Sequence, residues 1–261
     1  MNGLLDSHMH LDIVHHVHPE RIQWLKEKRC AVISWAFSPH EGGAAELKRY
    51  LKFQADTIQS ISDSGLLCRF LAGIHPRNIP GDLKPAQCGD FLQPFLKHPL
   101  CLGIGEIGLE TGDARETDFF IAQLELARAL DRGIRTGVHT PRKNKIEVTK
   151  QILSMLEDFQ ELKGRLVVDH CTPDTIGDVL ERGWTAGVTL SPVKSSLADL
   201  LMIVRTRLDC IGRIMCNTDS GADFHEDLAE AAASETFAPA VRDALFGGSA
   251  ADFFGWRPAY A

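Results

Sequence analysis

Residues 100–138 decide the fold. They open on Leu100-Cys101-Leu102-Gly103-Ile104, pass through Phe119-Phe120-Ile121-Ala122-Gln123-Leu124-Glu125-Leu126-Ala127-Arg128-Ala129-Leu130, and close on Arg135-Thr136-Gly137-Val138. The outer pieces are short, apolar and bounded by glycine, as strands buried on both faces are. In the middle piece Phe120, Gln123, Leu124 and Ala127 fall at i, i+3, i+4 and i+7, with one polar member, which predicts an amphipathic helix. Strand, helix, strand is the crossover unit that joins parallel strands. Working outward, the same short apolar runs recur at 3–6, 30–37, 67–74, 165–169, 184–190 and 213–216. Pro19-Glu20 and Pro173-Asp174 read as helix starts, with an acid in the first turn.

Eight such strands, each followed by helical spacing, predict an α/β fold, a single-domain (β/α)8 TIM barrel over 1–261. The 261 residues suit one barrel, which takes roughly 200–250. A doubly wound open sheet is the competing fold. It uses fewer strands, and no Gly-x-Gly-x-x-Gly fingerprint follows the first run.

A 44% hydrophobic, 24% charged chain has ample material for a core, which excludes a disordered or fibrous protein. The charge, 28 − 35 = −7, supplies no global field for nucleic acid or anionic membrane, so anion recognition must be local. No run approaches the ~18 apolar residues of a membrane span, and Met1 to Asp6 has no export pattern. The seven cysteines are odd in number, lack a Cys-x-x-Cys pair and mostly lie in apolar runs. Buried thiols in a reducing compartment, a cytoplasm, are expected.

A barrel builds its reactive face just past the C-terminal ends of its strands. Six of the eight ends carry His or acid there: Asp6-Ser7-His8-Met9-His10, Ile74-His75, Gly105-Glu106, Val138-His139, Asp169-His170 and Asn217-Thr218-Asp219. Only the second and seventh offer neither. In an extended segment residues i and i+2 face the same side, so His8 and His10 enter one barrel mouth together. A Glu and two further His, plus Asp219, complete six N/O ligands. That exceeds one tetrahedral ion and suits two divalent ions, zinc first, with manganese or magnesium as alternatives.

Each residue has a plainer reading. With 11 histidines, roughly 0.5 His-x-His pairs arise by chance. His16-Val17-His18 is a second such pair and is expected on a surface loop. Asp219 alone could cap a helix, and Glu106 could be a loop acid. Their joint placement after different strands is what favours a metal site.

At this point the motifs resemble the TatD-like metal-dependent hydrolases of the amidohydrolase superfamily. Asp-Ser-His-Met-His-Leu-Asp from Asp6, Gly-Ile-His-Pro from Gly73, Gly-Glu-Ile-Gly-Leu from Gly105, His139, His170-Cys171 and Asn217-Thr218-Asp219 occur in the family's order, down to Phe253-Phe254-Gly255. The resemblance implies His8, His10, Glu106, His139, His170 and Asp219 as ligands. It also implies Glu106 as a bridge between two ions and His75 facing substrate. The chain departs from the family pattern at Glu110 (usually Asp), Asn217 (usually Glu) and Ser249 (expected Asn). The stretches from His139 and Asn217 are more similar to an EboB-type subgroup of predicted hydrolases, which speaks against deoxyribonuclease activity.

The expected chemistry is hydrolysis by a metal-activated water, with Asp219 as the proton acceptor. Asp12 and Asp169, beside ligand histidines, are candidates either to orient an imidazole or to cap a turn. Arg142, Lys143 and Lys145, with Arg77, could hold an anionic group at the mouth, so a small-molecule phosphoester is the expected substrate, Arg142 a substrate-binding residue, and nucleic acid only one candidate. A solvated helix start is the plain reading of those cations. The rivals are a cyclic-amide or other C–N hydrolase on the same metals, and a metal-binding barrel without turnover. Oligomeric state is not legible.

Overall fold

The structure, a computed structural model, describes residues 3–38, 42–130 and 133–259, so both ends of the expected 1–261 domain lie outside it. Eight strands, β1 (Leu4–Met9), β2 (Cys30–Trp35), β3 (Cys68–Ala72), β4 (Cys101–Gly108), β5 (Arg135–His139), β6 (Leu166–Val168), β7 (Thr185–Thr189) and β8 (Ile214–Asn217), lie in chain order in one sheet. Every neighbouring pair is parallel. At the seam, Ser7 Oγ donates to Cys216 O at 3.0 Å and Asp219 N donates to His8 O at 2.9 Å, so β8 lies against β1 and the barrel is nearly closed.

The layer outside is built from α1 (Leu11–Val17), α2 (Glu20–Glu27), α3 (Ala44–Asp63), α4 (Cys88–Leu96), α5 (Ala114–Ala129), α6 (Lys145–Met155), α7 (Ile176–Glu181), α8 (Leu197–Thr206), α9 (Asp227–Ala233), α10 (Pro239–Asp243) and α11 (Ser249–Phe254). In α5 the stripe read from the sequence is buried, and its polar member has a task. Gln123 Nε2 donates to Ile74 O at 3.1 Å, while Gln123 Oε1 accepts from Ile74 N at 2.8 Å. The helix thereby pins the end of β3 directly beside His75. Ahead of that stripe, Asp113 caps α5 by accepting from Glu116 N.

Two apolar sets follow from strand alternation. One packs strands against helices; the other fills the barrel with Leu5, Ile33, Trp35, Leu71, Val167 and Met215, joined by Phe253 and Phe254 of α11. Gly137 makes room for this filling, because a Cβ there would lie 2.4 Å from the Trp35 ring. All seven cysteines are free, five of them buried.

All eight expected strands are present, with shifted ends. The β1 strand runs on to Met9 and β4 to Gly108, so His8 and Glu106 lie within strands rather than after them. Both strands are irregular at those points, between Asp6 and Met9 and between Ile104 and Ile107. An irregularity of this kind re-aims side chains into a site, so simple i, i+2 alternation is not what directs His8. The helix expected at Pro173 begins at Ile176, because Thr172 and Thr175 close a turn first. His16 lies in the last turn of α1, not a loop, and is exposed as expected. No described helix is long and apolar enough to cross a membrane.

Candidate metal centre

His8 is completely buried, with its imidazole stacked on Trp35 at 4.0 Å between centroids. Its Nδ1 lies 2.6 Å from Asp169 Oδ2. The carboxylate accepts a hydrogen bond from Nδ1–H, which directs Nε2 into the barrel mouth. That Nε2 is buried without a hydrogen-bond partner, 3.4 Å from both Glu106 Oε2 and Asp219 Oδ1. His10 repeats the pattern. Its Nδ1 donates to Trp35 O at 2.9 Å, and its Nε2 lies 3.1 Å from Asp219 Oδ1.

His170 is oriented by a chain of hydrogen bonds. Asn217 Nδ2 donates to both Asp169 oxygens, and Thr189 Oγ1 donates to Asn217 Oδ1 at 2.8 Å. Thr189 Oγ1 and Lys194 Nζ both approach His170 Nδ1, at 2.7 and 2.9 Å, which turns Nε2 toward Glu106 Oε1 at 3.2 Å. Asp169 therefore orders His8 directly and His170 through Asn217 and Thr189. Asn217, a departure from the family pattern, is the link between them.

On the far side His139 Nδ1 lies 2.6 Å from Glu106 Oε1, and its Nε2 lies 2.9 Å from Glu110 Oε2. Arg77 holds Glu110 in turn at 2.7 Å. His75 differs from the others. Its Nδ1 accepts from Arg77 N, so its Nε2 carries the proton and points toward Glu106 Oε1 at 3.7 Å. Burial depresses the His75 pKa to about 4, so it is a neutral donor rather than a lone-pair ligand.

The structure brings His8, His10, Glu106 and Asp219 into one group with ligand atoms within 4.8 Å of one another. It places His75, Glu106 and His139 in a second and His8, Asp169 and His170 in a third, each able to hold an ion by the same measure. A buried ring nitrogen with no hydrogen-bond partner, ringed by carboxylates and further imidazoles, fits a borderline divalent cation that takes the place of a proton. The field points the same way. Burial opposes a charge on His8, yet Glu106, Asp169 and Asp219 outweigh it and push the pKa up to about 10. Burial likewise opposes ionisation of Asp219, but Lys194 and the surrounding imidazoles hold it well below the usual range.

These groups surround a cavity of about 320 Å³ with Arg142 on its rim. The cation cluster expected there is divided. Lys145 turns inward to the carbonyl oxygens of Thr140 and His170, Lys143 is exposed outside the cavity's lining, and Arg77 pairs with Glu110. Of the two acids left open, Asp169 is the orienting one. Asp12 instead accepts from Ser34 Oγ at 3.2 Å, and among the described residues no hydrogen bond or ion pair joins it to a histidine. Ser249, in place of the expected Asn, donates to Ile211 O, away from the site.

Sequence reasoning missed Lys194, from the seventh strand end that offered neither His nor acid. Its Nζ lies 2.5 Å from Asp219 Oδ2. It also missed Trp35, from the other empty end, and the role of Glu110, which it had noted only as a departure. A tally of cations and aromatics at strand ends would have found the first two. Asp169→Asn removes the acceptor that fixes His8 while keeping the shape. Divalent-metal affinity, measured by competition with a chromogenic chelator, is expected to fall about 10–100-fold. An affinity within about twofold of wild type would reduce Asp169 to a packing role.

A family model described as TatD related DNase matches residues 5–222. The "uncharacterized metal-dependent hydrolase" of Methanocaldococcus jannaschii is 25% identical over 191 residues, covering 72% of this chain and 73% of the relative. Among solved structures, the TatD-like protein of Archaeoglobus fulgidus superposes with a TM-score of 0.78 at 26% identity, over 96% of this chain and 99% of that one. A TatD homologue of Escherichia coli K12 shares the fold at a TM-score of 0.66 and 16% identity, over 97% and 98% of the two chains.

Proposed function

Because the chain belongs to the TatD-related DNase family and is a metal-dependent hydrolase, we propose that it works at a two-ion site held by His8, His10, Glu106, His139, His170 and Asp219, and that it hydrolyses an ester of an anionic substrate, a phosphoester. One observation carries this reading. Glu106 stands between two sets of imidazoles: its Oε2 faces His8 and His10, and its Oε1 faces His139 and His170. A carboxylate with a ligand set on each oxygen suits a bridge. The imidazole-rich set favours zinc, with manganese or magnesium as alternatives. Seven free cysteines support a reducing, cytoplasmic location.

Divalent ions supply Lewis acidity, polarising the scissile bond and lowering the pKa of a water towards neutrality. Asp219 accepts that water's proton at its carboxylate and returns it to the leaving oxygen. Lys194 holds the same carboxylate in place and ionised. His75 donates from Nε2 to a substrate oxygen. Arg142, with no hydrogen-bond or ion-pair partner among the described residues, is open to a substrate anion at the rim.

Metal analysis followed by a substrate panel tests the proposal. About two equivalents of ion are expected, with turnover of phosphomonoesters or phosphodiesters that chelation abolishes. Cleavage confined to lactams and N-acyl compounds, and unaffected by Arg142→Ala, would move the reaction to C–N bonds.

A further inference from the structure

A second cavity, of about 750 Å³, opens beside the metal centre between the β5–α6 and β7–α8 connections. The two cavities share Arg142, His170, Val193 and Lys194 in their linings, so they lie side by side. Its wall is unusual for this surface. Eight large apolar side chains are exposed among the described residues, and three of them surround this cavity: Ile146 (44% exposed), Val193 (60%) and Met202 (54%). Lone exposed apolar residues mean little, but a cluster at the mouth of a polar site marks a ligand surface.

The charges are as selective as the wall. Arg142 stands at the junction, while Lys145 is committed to backbone carbonyls and Lys194 to Asp219. Along the larger cavity lie three acids, Glu147, Asp174 and Asp199. One free cation at the junction accepts one anionic group, and three carboxylates beyond it repel a second. A phosphodiester strand, with a charge on every residue, is poorly matched to this lining.

We propose that this cavity is a substrate subsite for the apolar body of an amphipathic ester, whose single anionic head lies between the metal centre and Arg142. The subsite rests on the reading of the centre as an esterase for anions and adds the substrate class: small, singly charged at the reacting end, and hydrocarbon-rich behind it.

Binding of methyl-, butyl- and octylphosphonate to the metal-loaded protein, by calorimetry, tests it. Affinity is expected to rise with chain length, about fourfold for each methylene that enters the cavity, so that octylphosphonate binds at least about 50-fold more tightly than methylphosphonate. Ile146→Asp/Met202→Asp, on two exposed positions, is expected to cut that ratio at least about tenfold. Affinity independent of chain length, or a ratio unchanged in the double variant, overturns the subsite while leaving the anionic-ester reading intact. Should no phosphonate bind at any length, that reading falls instead, and the neutral fluorophore N-phenyl-1-naphthylamine decides the subsite. Saturable binding lost in the double variant upholds it, and no saturable binding to the wild type removes it.

Discussion

Asp219→Asn is expected to lower metal-dependent turnover about 1,000-fold, the midrange for losing a positioned proton acceptor. The amide keeps the size of the carboxylate and leaves an oxygen to face His8 and His10, where Oδ1 now lies 3.4 and 3.1 Å from their Nε2 atoms. It can neither take a proton from water nor hold the charge paired with Lys194. Backbone strain does not confuse the result. Asp219 has φ 53, in the left-handed region, which Asn tolerates as readily as Asp. The decisive measurement is kcat at saturating metal, alongside metal content. Near-wild-type kcat would remove Asp219 as the base, and a fall in kcat caused only by lost metal would reassign it as a ligand alone.

His8→Ala/His10→Ala is expected to abolish turnover and to lower the bound metal by at least one equivalent. Both imidazoles turn Nε2 to the centre because Asp169 and Trp35 O accept hydrogen bonds at their Nδ1 atoms. Removing them leaves Glu106 and Asp219 without the two nitrogens that face them. A ligand bound only to the folded state raises its stability by mass action, by about 2.7 kcal/mol at a concentration 100 times Kd. Wild-type Tm should therefore climb on adding zinc or manganese, and the double variant's should climb much less. Full two-ion loading of the variant would show that these histidines are not ligands.

The strands were legible because each is a short apolar run between glycines or polar residues, and all eight appear. Their ends were not. Asp6-Ser7-His8 and Gly105-Glu106 look like loop sequence, since polar groups and glycine normally close a strand. Here the polar side chains enter the barrel mouth, where hydrogen bonds across the barrel replace water. Asp6, for example, accepts from Thr218 N and Oγ1 and from His8 N. Gln123 shows the converse. The one polar member of an apolar helical stripe proves to be the tie that sets the end of β3 beside His75.

By itself the sequence determined the strand-helix alternation, hence the barrel, and which strand ends carry imidazoles and carboxylates. Both are local properties, written in side-chain periodicity and in position along each repeat. Only the tertiary structure decided which groups meet: Asp169 with His8 across 161 positions, Lys194 with Asp219, and Glu110 with His139. It also decided which nitrogen of each ring faces the centre. Those pairings depend on strand register and on irregularities in β1 and β4, which arise from packing across the whole barrel. A tautomer is fixed by the partner of the opposite nitrogen, and that partner comes from a distant strand.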